Sequence, residues 1–164
     1  MKAYAPRRLR QALHRTGIPK SRALGASAPP SAAEHDAVTT TEDQAAFDRA
    51  VRLFNERAFF EAHEDWEDLW REAQGDEKRW LQGLIQWAAA YVHYERGFYD
   101  TGFVKLIREG RQKAEGYGGG TWGLDFPRLL RDMQPWFEHA ERVDAGAALV
   151  ADAPSELPRM HAAS

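Results

Sequence analysis

The chain of 164 residues contains no cysteine. Disulfides, thiolate metal ligands and cysteine nucleophiles are thereby excluded, and the composition fits a reducing compartment, with the cytoplasm as the expected location. Long apolar runs are also missing. No window approaches the ~18 consecutive apolar residues of a membrane span, so no integral membrane protein is expected. Residues 1–33 lack any acid yet carry seven of the 22 Lys and Arg residues. The other 15 cations face all 25 acids, a net of −10. A body of that sign repels nucleic acid, and no reading element follows the basic segment. Strand alternation, internal repeats, a P-loop, a dinucleotide fingerprint and a GxSxG elbow are absent too.

What the chain does have is aromatic mass. It is 43% hydrophobic and 12% aromatic, with six Trp and eight Phe, enough for one compact domain built on a few large anchors. Residues 1–38 are rich in Arg, Ala, Ser and Pro without periodic apolar spacing, which predicts a disordered basic tail. The same composition is similar to a transit peptide or a basic arm. Residues 144–164, Ala- and Pro-rich, are expected to form a second disordered tail.

Between the tails, residues 39–143 read as helix throughout. Thr41 with Gln44 three residues on has the capping-box pattern, and Phe47, Val51, Phe54 and Ala58 follow at helical spacing. A second helix is expected over residues 60–73, stopping at Gly75. A third starts near Asp76, carries Trp80, Leu84, Trp87, Tyr91 and Val92, and stops at Gly97. Asp100 is placed to cap a fourth helix running towards Lys113. Five glycines between Gly116 and Gly123 then break the chain. Asp125 followed by Pro127 opens a fifth helix, which Pro135 should kink or end. The expected fold is all-α, a single compact bundle or array of four to five helices.

The second helix carries an unusual rim. On a wheel of about 100° per residue, Ala62, Trp66, Leu69, Trp70 and Ala73 share one buried arc. His63 falls about 70° from its centre and Glu67 about 110°, on the same side, whereas Glu64 and Asp68 point towards solvent. The third helix stacks Gln82, Gln86 and His93 in one narrow stripe. Short loops make consecutive helices neighbours, so that stripe is placed to face His63 and Glu67. Two imidazoles and a carboxylate suit zinc or another divalent ion with an open position for water. Such an ion lowers the pKa of its water towards ~7 and makes a nucleophile. Glu64 would join as a fourth ligand if the helix were turned further inward. The bland alternative is an ordinary Glu67–Arg71 pair worth about 0.3 kcal/mol, with His63 bonded to Glu67 at the core edge and the Gln stripe merely solvated. His139 is assigned to the surface or to the helix dipole, not to a ligand set.

HEDWE is not the zincin HExxH, and no histidine has the Glu three residues earlier that ferritin-like di-iron sites need. The stretch FNERAFFEAHEDWEDLW, followed by WLQGLIQWAAAYVHYERG and Gly102, resembles instead the bacterial and archaeal family called domain of unknown function 309. The likeness covers residues 47–114. That family is marked by an HxxxExxW motif, matched here by His63, Glu67 and Trp70. The resemblance implies an all-helical domain whose motif binds metal, with no established activity.

Two readings follow. In one, the chain is a small metal-binding helical protein with His63, Glu67 and His93 as ligands, supported by Glu64, Trp70, Gln82 and Gln86. In the other it is a non-catalytic interaction module, a homodimer or larger homo-oligomer, in which aromatic residues such as Trp122 and Trp136 form the interface and the His–Glu pair is structural. Neither reading names a small-molecule substrate.

Overall fold

The computed structural model describes residues 40–97, 101–117 and 122–164, all within one contact unit, Asp36–Ser164. The tail expected over residues 1–38, and the Asp100 cap, lie outside the described residues. Five helices follow in order: α1 (Thr41–Asn55), α2 (Phe59–Glu72), α3 (Gly75–Glu95), α4 (Thr101–Ala114) and α5 (Phe126–Asp144). Each packs on its neighbour in sequence, as short connections require. The fold is all-α, and none of the helices among the described residues is long and apolar enough to cross a membrane.

The capping box opening α1 sits one residue earlier than the Thr41–Gln44 spacing suggests. Thr40 Oγ1 accepts from the Asp43 amide at 3.1 Å and Asp43 Oδ2 accepts from the Thr40 amide at 3.3 Å. Gln44 instead reaches across to the Trp122 carbonyl. At its other end α1 closes in a Schellman turn. The Ala58 amide bonds the Leu53 carbonyl and the Arg57 amide bonds that of Phe54, with Arg57 at φ 65°, a position that favours glycine.

Tryptophans and phenylalanines hold the helices together. Phe47 of α1 stacks on Trp80 of α3 and on Trp122, while Phe54 packs on Trp66 of α2 and Tyr91 of α3. Trp136 of α5 meets Tyr91, Tyr94 and Phe103 edge-on. Both Trp122 and Trp136 are buried within one chain. The two tryptophans offered for a dimer interface are therefore core residues of the chain itself, which corrects that part of the expectation. The α3–α4 seam depends on small residues. A Cβ on Gly83 would lie 2.7 Å from Ala114 Cβ, and one on Gly110 would lie 2.5 Å from the Trp87 indole. That indole lies across Gly110 and donates to the Ile107 carbonyl at 3.1 Å.

Two expectations meet the structure in the C-terminal third. Of the two outcomes expected at Pro135, a kink or an end, the end does not occur: helix α5 runs through the residue. The residue is exposed, so the Arg131 carbonyl that loses its donor faces water, and the buried Trp136 and Phe137 that follow keep the helix on the core. The segment expected as a loose tail after residue 144 is folded onto the body. It makes a 3₁₀ turn at Val150–Asp152 and an antiparallel bridge between Leu124 and Ala162. Asn55 Oδ1 accepts from the Met160 amide and Asn55 Nδ2 donates to the Met160 carbonyl, both at 2.8 Å, while the Met160 side chain is buried. Trp136 Nε1 donates to the Glu156 carbonyl and the Tyr94 hydroxyl to that of Pro154. Composition hid this order because most of these bonds use backbone groups, which every residue type carries. His139 is corrected as well: it is 5% exposed and its Nε2 pairs with the Val150 carbonyl at 3.2 Å.

Candidate functional site

Helix α2 buries Phe59, Ala62, Trp66 and Leu69, the stripe that helical periodicity requires of an amphipathic element. Its rim then follows the wheel. The His63 side chain is 23% exposed, Glu67 35% and Glu64 59%. From the outer side Phe60 lays its ring nearly parallel to the imidazole, with centroids 6.3 Å apart. Asp65 accepts a two-pronged bond from the Arg49 guanidinium, both contacts at 2.6 Å, which fixes α2 against α1.

His63 stands between two carboxylates. Its Nε2 lies 3.6 Å from Glu67 Oε1 and its Nδ1 lies 3.7 Å from Glu64 Oε1. Both separations exceed hydrogen-bond length. Nδ1 is buried without a hydrogen-bond partner. Glu67 uses its other oxygen, Oε2, to accept from Arg71 at 3.1 Å, and Arg71 also pairs with Asp68. Trp70, one turn beyond Glu67, carries the Lys78 ammonium 4.5 Å from its ring centroid. Its indole Nε1 is buried and unpaired, as is that of Trp66.

Among the described residues, His63, Glu64 and Glu67 form the group able to hold a metal ion, with one ligand atom from each lying within 4.8 Å of the others. Glu64 thus enters without any turning of the helix. Its Cβ points outward as the wheel requires, but the long, flexible side chain brings its carboxylate back to the imidazole. His93 does not join the group. The stripe it shares with Gln82 and Gln86 is the half-exposed seam of α3. Gln86 there donates to Glu109 Oε2 at 3.2 Å and accepts from Lys113 at 3.0 Å, both on α4. Gln86 is thus engaged with the next helix along, and neighbouring order alone could not distinguish which side of α3 it would face.

An all-helical domain carrying a histidine and glutamates one turn apart on its second helix is the class these observations define. Residues 47–106 match the family model described as Domain of unknown function (DUF309). The chain is also 33% identical over 110 residues to the uncharacterized protein YpuF of Bacillus subtilis (strain 168), a match covering 65% of this chain. It spans 63% of that relative's length. No solved structure matches the chain.

Proposed function

We propose that the chain is a divalent-metal-binding helical protein in which His63, Glu64 and Glu67 supply the ligands. The observation that carries this reading is the spacing around the imidazole. Two ligands each about 2.1 Å from a tetrahedral ion lie about 3.4 Å apart. The 3.6 Å gap from Nε2 to Glu67 is close to that figure and too long for a hydrogen bond, and one ligand atom from each of His63, Glu64 and Glu67 lies within 4.8 Å of the others. One ring nitrogen and two carboxylates are a donor set suited to zinc and similar divalent ions. The unpartnered Nδ1 supports the fit, because a ligating or carboxylate-bonded nitrogen would end its isolation. A bound ion would supply acidified water at its open positions. Arg71, holding Glu67 Oε2, leaves Oε1 to face the imidazole. Phe60 lies nearly parallel to the ring, with centroids 6.3 Å apart.

Metal analysis of protein purified without a histidine tag tests this reading, together with calorimetric titration of zinc and manganese. About one equivalent per chain is expected, bound more weakly by at least tenfold in His63→Ala. Less than about a tenth of an equivalent of any divalent metal, unchanged by His63→Ala, would end the proposal. The alternative interaction-module reading makes His63 and Glu67 a structural pair. That reading is the weaker one, because the two groups are not hydrogen-bonded and Trp122 and Trp136 are buried.

A further inference from the structure

A second site lies away from α2, between α5 and the C-terminal segment. There a groove of about 610 Å³ is lined by Arg128, Arg131 and Arg159, within the size range of small-molecule sites, about 300–1,000 Å³. None of the three guanidiniums is in an ion pair among the described residues, whereas Arg49, Arg71, Arg108 and Arg111 each hold a carboxylate. Two acids, Asp132 and Glu156, also border the groove and leave the arginines unengaged. The local balance is positive in a body whose other charges are mostly acidic.

Placement argues against a purely structural role for these cations. Arg128 and Arg131 stand in the first two turns of α5, which Asp125 caps and whose first turn contains no further acid. The positive end of a helix macrodipole disfavours a cation in the first turn, where Arg128 stands. Arg159 comes from the opposite wall on a fixed backbone. It lies between the buried Pro158 and the buried Met160, and Met160 is bonded through both its amide and its carbonyl to Asn55. The rest of the lining includes Pro135, Leu157 and Pro158, a stiff apolar surface beside the charges. The three arginines are exposed; guanidinium forks match phosphate oxygens two at a time, and an apolar wall alongside suits an organic body.

We infer that this groove binds an organic phosphate, with the phosphate oxygens on Arg128, Arg131 and Arg159 and the body of the ligand against Pro135 and Leu157. The site is independent of the metal reading and is tested with chelator present throughout. Calorimetry on the full chain at low salt, with pyrophosphate, ADP and adenosine as probes, should give saturable binding of the two phosphates. Adenosine should bind at least tenfold more weakly than ADP. Arg131→Gln and Arg159→Gln should each weaken ADP by about tenfold. Asp132→Asn and Glu156→Gln should tighten it. All these side chains lie at the surface of the groove, and unchanged thermal melting of each variant confirms that it is folded. Arg131→Lys, keeping the charge without the fork, should fall between wild type and Arg131→Gln. No saturable binding, equal binding of adenosine and ADP, or retention of ADP by a variant lacking all three arginines would overturn the inference. So would an acidic peptide that outcompetes ADP, since that would mark a groove for a protein partner.

Discussion

The tryptophans fall into two sets. Trp87, Trp122 and Trp136 place their indole N–H groups on the Ile107 carbonyl, Glu77 Oε1 and the Glu156 carbonyl, at 3.1, 3.0 and 3.0 Å. Trp66, Trp70 and Trp80 bury the same N–H without a partner. Three of the four unpaired buried side-chain polar atoms among the described residues, the Trp66 and Trp70 Nε1 and the His63 Nδ1, belong to α2. An orphaned buried donor is costly and uncommon. Its concentration on one helix means that α4, α5 and the C-terminal segment are built for satisfaction, while α2 tolerates unmet polarity where the candidate ligands stand. Departures of this kind gather where structure serves something besides stability.

That contrast can be broken or sharpened by substitution. Asn55→Ala, on the satisfied side, removes two bonds to Met160 and should cost about 2–3 kcal/mol by chemical denaturation. It should also release residues 154–163 to rapid hydrogen exchange. Next come matched changes at fully buried indoles. Trp87→Phe should cost about 1–2 kcal/mol more than Trp66→Phe, because both lose the same volume but only one loses a hydrogen bond. Equal losses would erase the distinction between the two sets. His63→Ala, on the unmet side, should cost less than about 1 kcal/mol in chelator, since no hydrogen bond is broken. A larger loss would favour the structural-pair reading.

The smallest effect concerns Glu77. Burial pushes its carboxyl above the usual range, the bond from Trp122 works against that rise, and Asp43 adds to it. The folded chain therefore holds this proton to higher pH than the unfolded chain does. The contribution of Glu77 to stability improves as pH falls through that interval and is unfavourable above it. Glu77→Gln keeps an acceptor for Trp122 and should raise the melting temperature slightly at neutral pH, with the gain vanishing in acid.

Much of the fold was legible in the sequence. Phe47, Phe54, Trp66, Trp80, Trp87 and Tyr91 repeat at helical spacing, and all of them are buried in the structure. Gly75 and Gly97 take positive φ at or beside the helix ends where their positions suggested stops. The rim position of His63 and Glu67 was legible too, because a wheel needs only the period of the helix. What a wheel omits is the direction of the neighbouring helix and the reach of a flexible side chain. Gln86 was lost to the first and Glu64 was gained by the second. Arg128, Arg131 and Arg159 had no signal at all, since two stand on a helix and the third on a segment whose folding rests on Met160 and Asn55.

The pairing of Asn55 with Met160 joins residues 105 positions apart, and this sets an order of events during synthesis. The corner linking the first two helices cannot complete its bonding until Met160 has left the ribosome. At ordinary elongation rates, about 5–20 residues per second, that is on the order of 5–20 s after Asn55 is made. Throughout that interval the nascent chain carries its candidate ligand helix with one flank unsealed, so metal or a chaperone could meet α2 before the finished protein exists.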